Sequence, residues 1–486
     1  MLKAKKLAWK KCYISKNSLE KSYYGYIIWL GDKMKRKILE YLVNWKNNKN
    51  KVPLVIKGLR QIGKTYIVKE FAKNNYENAF ILDFRKQPSL HHIFDGDFNL
   101  DTISLFISSL PSDNRIIKES KMIPYNTIII FDEIQDCPNA RSSLRYFKED
   151  GRFDIVCTGS LLGIDGYRLN NIPSRGIAVG SEEQIEMFSM DFEEFLWALG
   201  VDEKLIDTIK ECLDNKKEVP LYLHQMFLDL VRKYICVGGL PEVVKTFVET
   251  KDISEARRIQ KRLLNDYKTD FGMHLNEHYE LVNDELEKAR IMDVFNSIPK
   301  QLAKENKKFQ YSDISKKAKS KTHLDAINWL KSYGLIDICY NLSTIEQPFE
   351  FVAIKDNFKL YVSDIGLLIA MLDDTVPYKI LTNELGIGKG MIYENLAAES
   401  FHKLNRPLYY FSKSSGLEID FITSIFNQSY LVEVKAKDGN TKASKTVLEN
   451  PNYKVDNLLK LTSQNINQSN NIFTVPYYLS FYILKK

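Results

Sequence analysis

The octapeptide Gly58-Leu59-Arg60-Gln61-Ile62-Gly63-Lys64-Thr65 constrains this chain more than any other stretch. It follows the apolar run Pro53-Leu54-Val55-Ile56 and precedes Tyr66-Ile67-Val68-Lys69-Glu70-Phe71-Ala72, so it stands where a buried strand gives way to a helix. Such a junction brings backbone N–H groups and the positive end of a helix dipole onto one concave surface, which suits a triphosphate tail. Gly58 and Gly63 allow the tight turn and the close approach of backbone. The pattern predicts that Gly58, Arg60, Gln61, Ile62, Gly63, Lys64, Thr65 and Tyr66 line a nucleotide site. Lys64 would reach the β- and γ-phosphates, and the Thr65 hydroxyl would hold a Mg²⁺ ion bridging the same oxygens. ATP and Mg²⁺ are therefore the expected cofactors.

At 486 residues the chain exceeds one ordinary core, and about three domains are expected. Its formal charge of +7 permits nucleic acid as a partner without demanding it. The six cysteines (Cys12, Cys137, Cys157, Cys212, Cys236, Cys339) are scattered with no CxxC pair, which argues against a disulfide framework or a structural zinc site and suits a reducing cytoplasm. No apolar run is long enough to span a bilayer, so no membrane partner is expected. Residues 1–33 place several lysines ahead of the patch Tyr23-Tyr24-Gly25-Tyr26-Ile27-Ile28-Trp29-Leu30. They read as a weakly ordered extension, with Met34 as the natural start and Lys35 to Leu42 as a short helix leading into the first strand.

Residues 34–200 read as one nucleotide-binding domain. Ala79 to Phe84 is a second buried strand, and Asn126 to Phe131 is a β-branched run ending in Asp132-Glu133. A central parallel strand delivers such acids to its carboxyl edge. Asp132 would then hold the Mg²⁺ hydration shell, and Glu133 would orient the attacking water. Phe153 to Ser160 is a further strand ending in small hydroxyl residues; Thr158 or Ser160 could sense the γ-phosphate, or either could cap the next helix.

Residues 201–285 are helix-rich, with Gly238-Gly239-Leu240-Pro241 as a turn between helices. In 286–384, helices at Ala289–Leu302, Tyr311–Ala318 and Thr322–Tyr333 followed by a short hairpin read as a winged helix. Lys319, Lys321, His323 and Lys331 would mark a DNA-reading helix there, or simply a solvated basic face. In 385–486, Glu394 lies on a helix, Asp420 on a strand, and Glu433-Val434-Lys435 on the next strand, the order of a PD-(D/E)XK nuclease fold. Strand alternation puts Glu433 and Lys435 on one face beside Asp420. Glu394, Asp420 and Glu433 would bind a metal ion, and Lys435 would position or deprotonate a water.

Gly58-Leu-Arg-Gln-Ile-Gly-Lys-Thr65, Phe131-Asp-Glu-Ile-Gln-Asp-Cys-Pro138, Thr158-Gly-Ser-Leu-Leu-Gly163, Met190-Asp-Phe-Glu-Glu-Phe-Leu196 and Val237-Gly-Gly-Leu-Pro-Glu-Val-Val244 together resemble prokaryotic AAA-type ATPases known only as ATP-binding proteins. The resemblance extends through Ser297 to Asn306 and so over nearly everything after Met34. It implies an α/β architecture: an AAA-like parallel-sheet P-loop domain, a helical lid, a winged-helix module and a C-terminal restriction-endonuclease-like α/β domain. It also implies nucleotide, metal and catalytic roles for Lys64, Thr65, Asp132 and Glu133, and a sensor role for Ser160. Many relatives carry a lysine where this chain reads Val179-Gly180-Ser181; if that lysine touches phosphate, hydrolysis here is weak or uses Arg168 or Arg175. The expected function is a Mg-ATP-hydrolysing ATPase coupled to a DNA-binding, nuclease-like domain. The alternative is an ATP-driven switch with a protein partner and no cleavage. No arginine finger is assignable, which disfavours a ring-forming motor.

Overall fold

The computed structural model describes residues 34–117, 122–164, 180–275, 281–316, 318–386, 388–436 and 442–486. The extension expected at 1–33, together with Arg168 and Arg175, lies outside the described residues.

Helix α1 (Ile38–Asn47) leads into β1 (Leu54–Gly58) and α2 (Lys64–Asn75), followed by β2 (Asn78–Asp83), α3 (Leu100–Ser109), β3 (Thr127–Asp132), α4 (Pro138–Asp150), β4 (Asp154–Ser160), β5 (Glu183–Glu186) and α5 (Phe192–Ala198). The five strands are parallel in the order β2-β3-β4-β1-β5. Their unbroken apolar runs follow from burial on both faces. Leu54, Ile56, Ile128 and Ile130 face one core, while Val55, Ile129 and Phe131 alternate into a second one closed by α3 and α4. The side chains of Ile128 through Phe131 are all fully buried, and each contributes about 1.5–3 kcal/mol by leaving water. That burial fixes the strand that ends at Asp132.

Four helices follow: α6 (Glu203–Asp214), α7 (Leu221–Val237), α8 (Pro241–Thr250) and α9 (Ile253–Thr269). The Gly238-Gly239 step between α7 and α8 is required by crowding. Gly238 has a φ of +73°, and a Cβ on Gly239 would stand 2.0 Å from the Met190 carbonyl oxygen and 2.7 Å from Lys403 Nζ. A short antiparallel pair, β6 (Met273–Leu275) with β7 (Leu281–Asn283), precedes α10 (Glu285–Leu302) and α11 (Ser320–Tyr333). Between them, the segment expected as a helix at Tyr311–Ala318 makes only one 3₁₀ turn, Tyr311–Asp313. Ser312, Asp313 and Ser315 favour turns over a helix interior.

The remainder is one eight-stranded mixed sheet, ordered β14-β15-β13-β12-β11-β10-β8-β9. Its parts in chain order are β8 (Ile336–Leu342), β9 (Ala353–Val362), helix α12 (Ile365–Ala370), helix α13 (Lys389–Lys403), β10 (Leu408–Ser412), β11 (Glu418–Ile425), β12 (Gln428–Lys435), helix α14 (Lys442–Leu448), β13 (Asn457–Thr462), β14 (Asn467–Ser469) and β15 (Ile472–Pro476). The hairpin expected as a wing is β8–β9, and β8 pairs in parallel with β10. The boundary expected at 384/385 therefore runs through a continuous sheet. A two-stranded ribbon could not bury Ile336, Cys339 and Leu342 by itself, whereas an extended sheet does.

Helix α13 is buried along Met391–Phe401 and joins one apolar core that runs from the first sheet through α7–α9 to the second sheet. Buried polar groups lock this junction. Lys403 Nζ donates to the Met190 carbonyl (2.7 Å) and to Tyr234 Oη (2.8 Å), pairs with Glu399 and lies 3.6 Å from Asp364. Asp364 in turn accepts from Ser189 Oγ (2.7 Å) and from the Gly239 N–H (2.9 Å).

Candidate functional site

The loop between β1 and α2 is shaped by two residues with positive φ, Gln61 (63°) and Gly63 (88°). Gly58 is packed so closely that a Cβ would stand 2.3 Å from the Met187 carbonyl oxygen. Arg36, buried just ahead of α1, supports the loop from behind. Its guanidinium donates to the Ile62 carbonyl (3.1 Å) and the Phe188 carbonyl (2.7 Å), and its Nε pairs with Glu194 (3.1 Å). No motif in the sequence singles Arg36 out, because its partners lie on three separate segments.

Lys64 opens α2 and is 7% exposed. Its ammonium donates to the loop's own carbonyls, Gly58 (3.0 Å) and Leu59 (2.8 Å). Burial pushes it down to about 8, against the opposing pull of Glu133 and Asp132. Thr65 Oγ1 donates to Asp132 Oδ1 (2.8 Å), and Thr158 Oγ1 donates to the same oxygen. Strand order explains the pairing: β4 lies between β1 and β3, so its Thr158 separates the loop strand from the acid strand. Ser160, the expected sensor, stands opposite Gly58 in the β1–β4 register, and its Oγ accepts from the Gly163 N–H (3.3 Å), a helix-capping contact.

Glu133 leaves β3 in a left-handed conformation (φ 54°). It pairs with Arg85 (2.9 Å) and accepts from Gln135 Nε2 (2.6 Å). Among the other expected loop residues, Ile62 is buried, Gln61 and Tyr66 are exposed, and Arg60 reaches away to Asp270 (2.5 Å). Tyr333 also donates to Asp270, and Tyr267 Oη donates to the Arg60 carbonyl (2.9 Å). Where the resemblance leads one to expect a lysine, Ser181 is buried and Lys148 Nζ donates to the Gly180 carbonyl (2.8 Å). A glycine-shaped loop, a buried lysine and a threonine–aspartate pair at one sheet edge form a donor set that fits a Mg²⁺-nucleotide.

The second sheet gathers another charged group. Glu394 on α13 accepts from Tyr361 Oη (2.5 Å) and pairs with Lys307 and with Lys359 (3.4 Å). Lys359 is fully buried, pairs with Glu418 (2.6 Å) and lies 4.6 Å from the Tyr410 ring. Burial would raise the Glu394 carboxyl, but Lys307, Lys359 and Tyr361 hold it down at about 2. Asp420 Oδ2 accepts from the Val434 N–H (2.8 Å), and Lys307 stands 4.0 Å from Asp420 Oδ1. Burial, with Glu394 and Glu433 beside it, pushes Asp420 up to about 7. Glu433 accepts from Ser444 Oγ and pairs with Lys435.

The structure thus brings Glu394, Asp420, Glu433 and Lys435 together. Among the described residues, however, no three His, Cys, Asp or Glu side chains close on one metal position. Lysines stand against these carboxylates instead. Lys307, Lys359, Tyr361 and Glu418 were not legible as site residues, although a lysine inside the apolar run Phe358-Lys359-Leu360-Tyr361-Val362 is a usable signal, since lysine is rarely buried unpaired. Lys319, just ahead of α11, and Lys321 and Lys331 on it are exposed, but His323 is buried.

Residues 50–196 match the family model of an AAA domain. The matched segment contains Gly58, Lys64, Thr65, Asp132, Glu133, Thr158 and Ser160. Two further models match residues 228–377 and 389–479, each described as a domain of unknown function (DUF8612 and DUF4143). The second charged group is shared between them, with Lys307, Lys359 and Tyr361 in the first and Glu394, Asp420, Glu433 and Lys435 in the second. A Walker-type ATPase of Pyrococcus abyssi is similar at 14% identity, over 70% of this chain and 96% of that one, with a TM-score of 0.40. The Aeropyrum pernix ORC2 protein in its ADPNP–ADP complexes is similar at 14% identity, over 75% and 96%, with a TM-score of 0.32. No curated protein matches. Among the described residues, no helix is long and apolar enough to cross a membrane.

Proposed function

We propose that this chain is a Mg-ATP-dependent ATPase whose nucleotide state governs a nuclease-like centre acting on DNA. The observation that carries the reading is the shared contact of Thr65 and Thr158 with Asp132 beside the Gly58–Thr65 loop. On nucleotide binding the Lys64 ammonium exchanges the Gly58 and Leu59 carbonyls for phosphate oxygens, which are the stronger, charged acceptors. Thr65 and Asp132 would hold Mg²⁺, which supplies charge neutralisation on the phosphates. Glu133, freed from Arg85, orients and polarises the attacking water. The expected result is that Glu133→Gln retains ATP binding and lowers turnover at least about a hundredfold. Unchanged turnover in that variant would remove Glu133 from the chemistry.

For the C-terminal centre, the sequence order Glu394, Asp420, Glu433, Lys435 supports metal-dependent phosphodiester cleavage, with Lys435 positioning the water. The test is incubation with linear, single-stranded and branched DNA and Mg²⁺ or Mn²⁺, with and without ATP. Cleavage lost in Lys435→Ala supports the nuclease, and further loss in Lys64→Ala supports control by ATP. The ammonium groups on Glu394 and Glu433 favour a second reading, in which the centre binds without cutting and the ATPase works as a switch for a protein partner. DNA binding with no cleavage under every condition decides for that reading.

A further inference from the structure

We propose that Lys307 is a tethered cation standing in the divalent-ion position of the C-terminal centre, so that the centre loads an ion only when the segment after α10 withdraws. The proposal rests on reading that centre as metal-dependent. Three lysines neutralise its carboxylates, and they differ in how they are held. Lys359 lies within β9, is fully buried and is clamped by Glu394, Glu418 and the Tyr410 ring. Lys435 lies within β12, on the same strand face as its partner Glu433. The backbone of neither can withdraw without breaking a strand.

Lys307 belongs to no regular element. Residues 303–306 ahead of it are exposed, with Lys304 paired to Asp313 (2.5 Å), and beyond Lys307 the chain is pinned at Phe309, whose N–H donates to the Phe358 carbonyl (2.8 Å) and whose ring stacks on Phe358. The side chain therefore reaches from a surface turn into the centre, touching Glu394 and standing 4.0 Å from Asp420 Oδ1. An ammonium between two carboxylates and a divalent ion between the same two are mutually exclusive, by volume and by charge. Asp420, whose close polar contact is the Val434 N–H, is the carboxylate with most to gain from such an ion.

The test is Mn²⁺ titration of the full chain without nucleotide, read by electron paramagnetic resonance of the free ion, on wild type, Lys307→Met, Lys307→Arg and Lys307→Met/Asp420→Asn. Lys307→Met keeps the stem and removes the charge; Lys307→Gln replaces it if the methionine variant melts early. The expected result is affinity at least about tenfold tighter in Lys307→Met than in wild type. Lys307→Arg should stay at the wild-type value, and Asp420→Asn should erase the gain. Equal affinity in wild type and Lys307→Met at a site that Asp420→Asn removes overturns this inference and leaves the metal-centre reading standing. No Asp420-dependent binding in any variant overturns both.

Discussion

Replacing Asp420 by Asn should stabilise the protein, and by an amount that depends on pH. The carboxyl is pushed from an ordinary 3.8 up to about 7 by burial and by Glu394 and Glu433. The sign follows from linkage. Below about 4 both folded and unfolded chains carry the proton, and the group contributes nothing. Between about 4 and about 7 the folded state holds a proton that the unfolded state releases, so stability falls as pH rises. Above about 7 the full penalty is present. About three units at ~1.36 kcal/mol each give an upper bound of ~4 kcal/mol. The side chain retains 13% exposure, and allowing for that screening leaves ~2–4 kcal/mol.

Asn keeps the acceptor for the Val434 N–H and removes the charge. At ~2.1 cal/mol/K per residue over 486 residues, unfolding entropy is ~1 kcal/mol/K, so Tm should rise by ~2–4 °C at pH 8. At pH 5 the rise should be less than half as large, because most of the wild-type penalty has not yet developed. Calorimetric melting of both proteins at the two pH values in metal-free buffer measures this directly, since titrating groups remote from Asp420 are common to both. A variant that melts below wild type at pH 8, or gains equally at both pH values, would refute the account of Asp420 as an undercompensated buried acid.

Two further outcomes follow from the same contacts. Lys64 is pushed down to about 8 in the free protein, and phosphate favours its charged form, so ATP binding should take up a fraction of a proton at pH 8.5 and almost none at pH 6.5. Calorimetry in two buffers of different ionisation enthalpy detects this, and an uptake that persists in Lys64→Ala belongs to another group. Lys403→Ala strands Glu399 and Asp364 in the buried junction and should cost about 3–5 kcal/mol, a fall in Tm of about 3–5 °C. Adding Glu399→Gln should recover part of that loss, and a fall below about 1 °C would mean the junction relaxes around the missing ammonium.

What was legible in the sequence is what is local. The β1–loop–α2 unit is read from a run of adjacent residues, and Asp132-Glu133 from the apolar strand that carries them. The strand end left Thr158 and Ser160 both open and the resemblance chose Ser160, because the Thr158–Asp132 contact depends on β4 lying between β1 and β3, a fact of strand order rather than of spacing. Residues Glu394, Asp420, Glu433 and Lys435 were found because three elements close in sequence carry them. Lys307 and Lys359 were not, because they enter from elements that the expected boundary at 384/385 assigned elsewhere. The expected wing is a local reading of the same kind: a hairpin read in isolation gives no sign that its outer edge is taken by β10. His323 was placed on a reading face by charge alone, whereas helical periodicity groups it with Ala326, Ile327 and Leu330 in the core.

The two charged centres are joined by packed, hydrogen-bonded structure rather than by a linker. Arg60, inside the phosphate loop, pairs with Asp270 at the end of α9, and the same carboxylate accepts from Tyr333 at the end of α11. Gly334, the next residue, is so close to the loop that a Cβ there would stand 2.7 Å from Leu161 and 3.7 Å from Leu59. Beyond it the chain enters β8 and so the second sheet. Phe271 beside Asp270 packs edge-on against Phe295 of α10 and Trp329 of α11, and α10 ends a few residues before Lys307. A change at Arg60 would therefore act on Asp270, which holds α9 and α11 to the loop, and on the helix that carries the Lys307 segment. Asp270 serves both the loop and Tyr333 with one oxygen, so strengthening one contact weakens the other. On the proposed function, that competition is the route by which nucleotide state would reach the C-terminal centre.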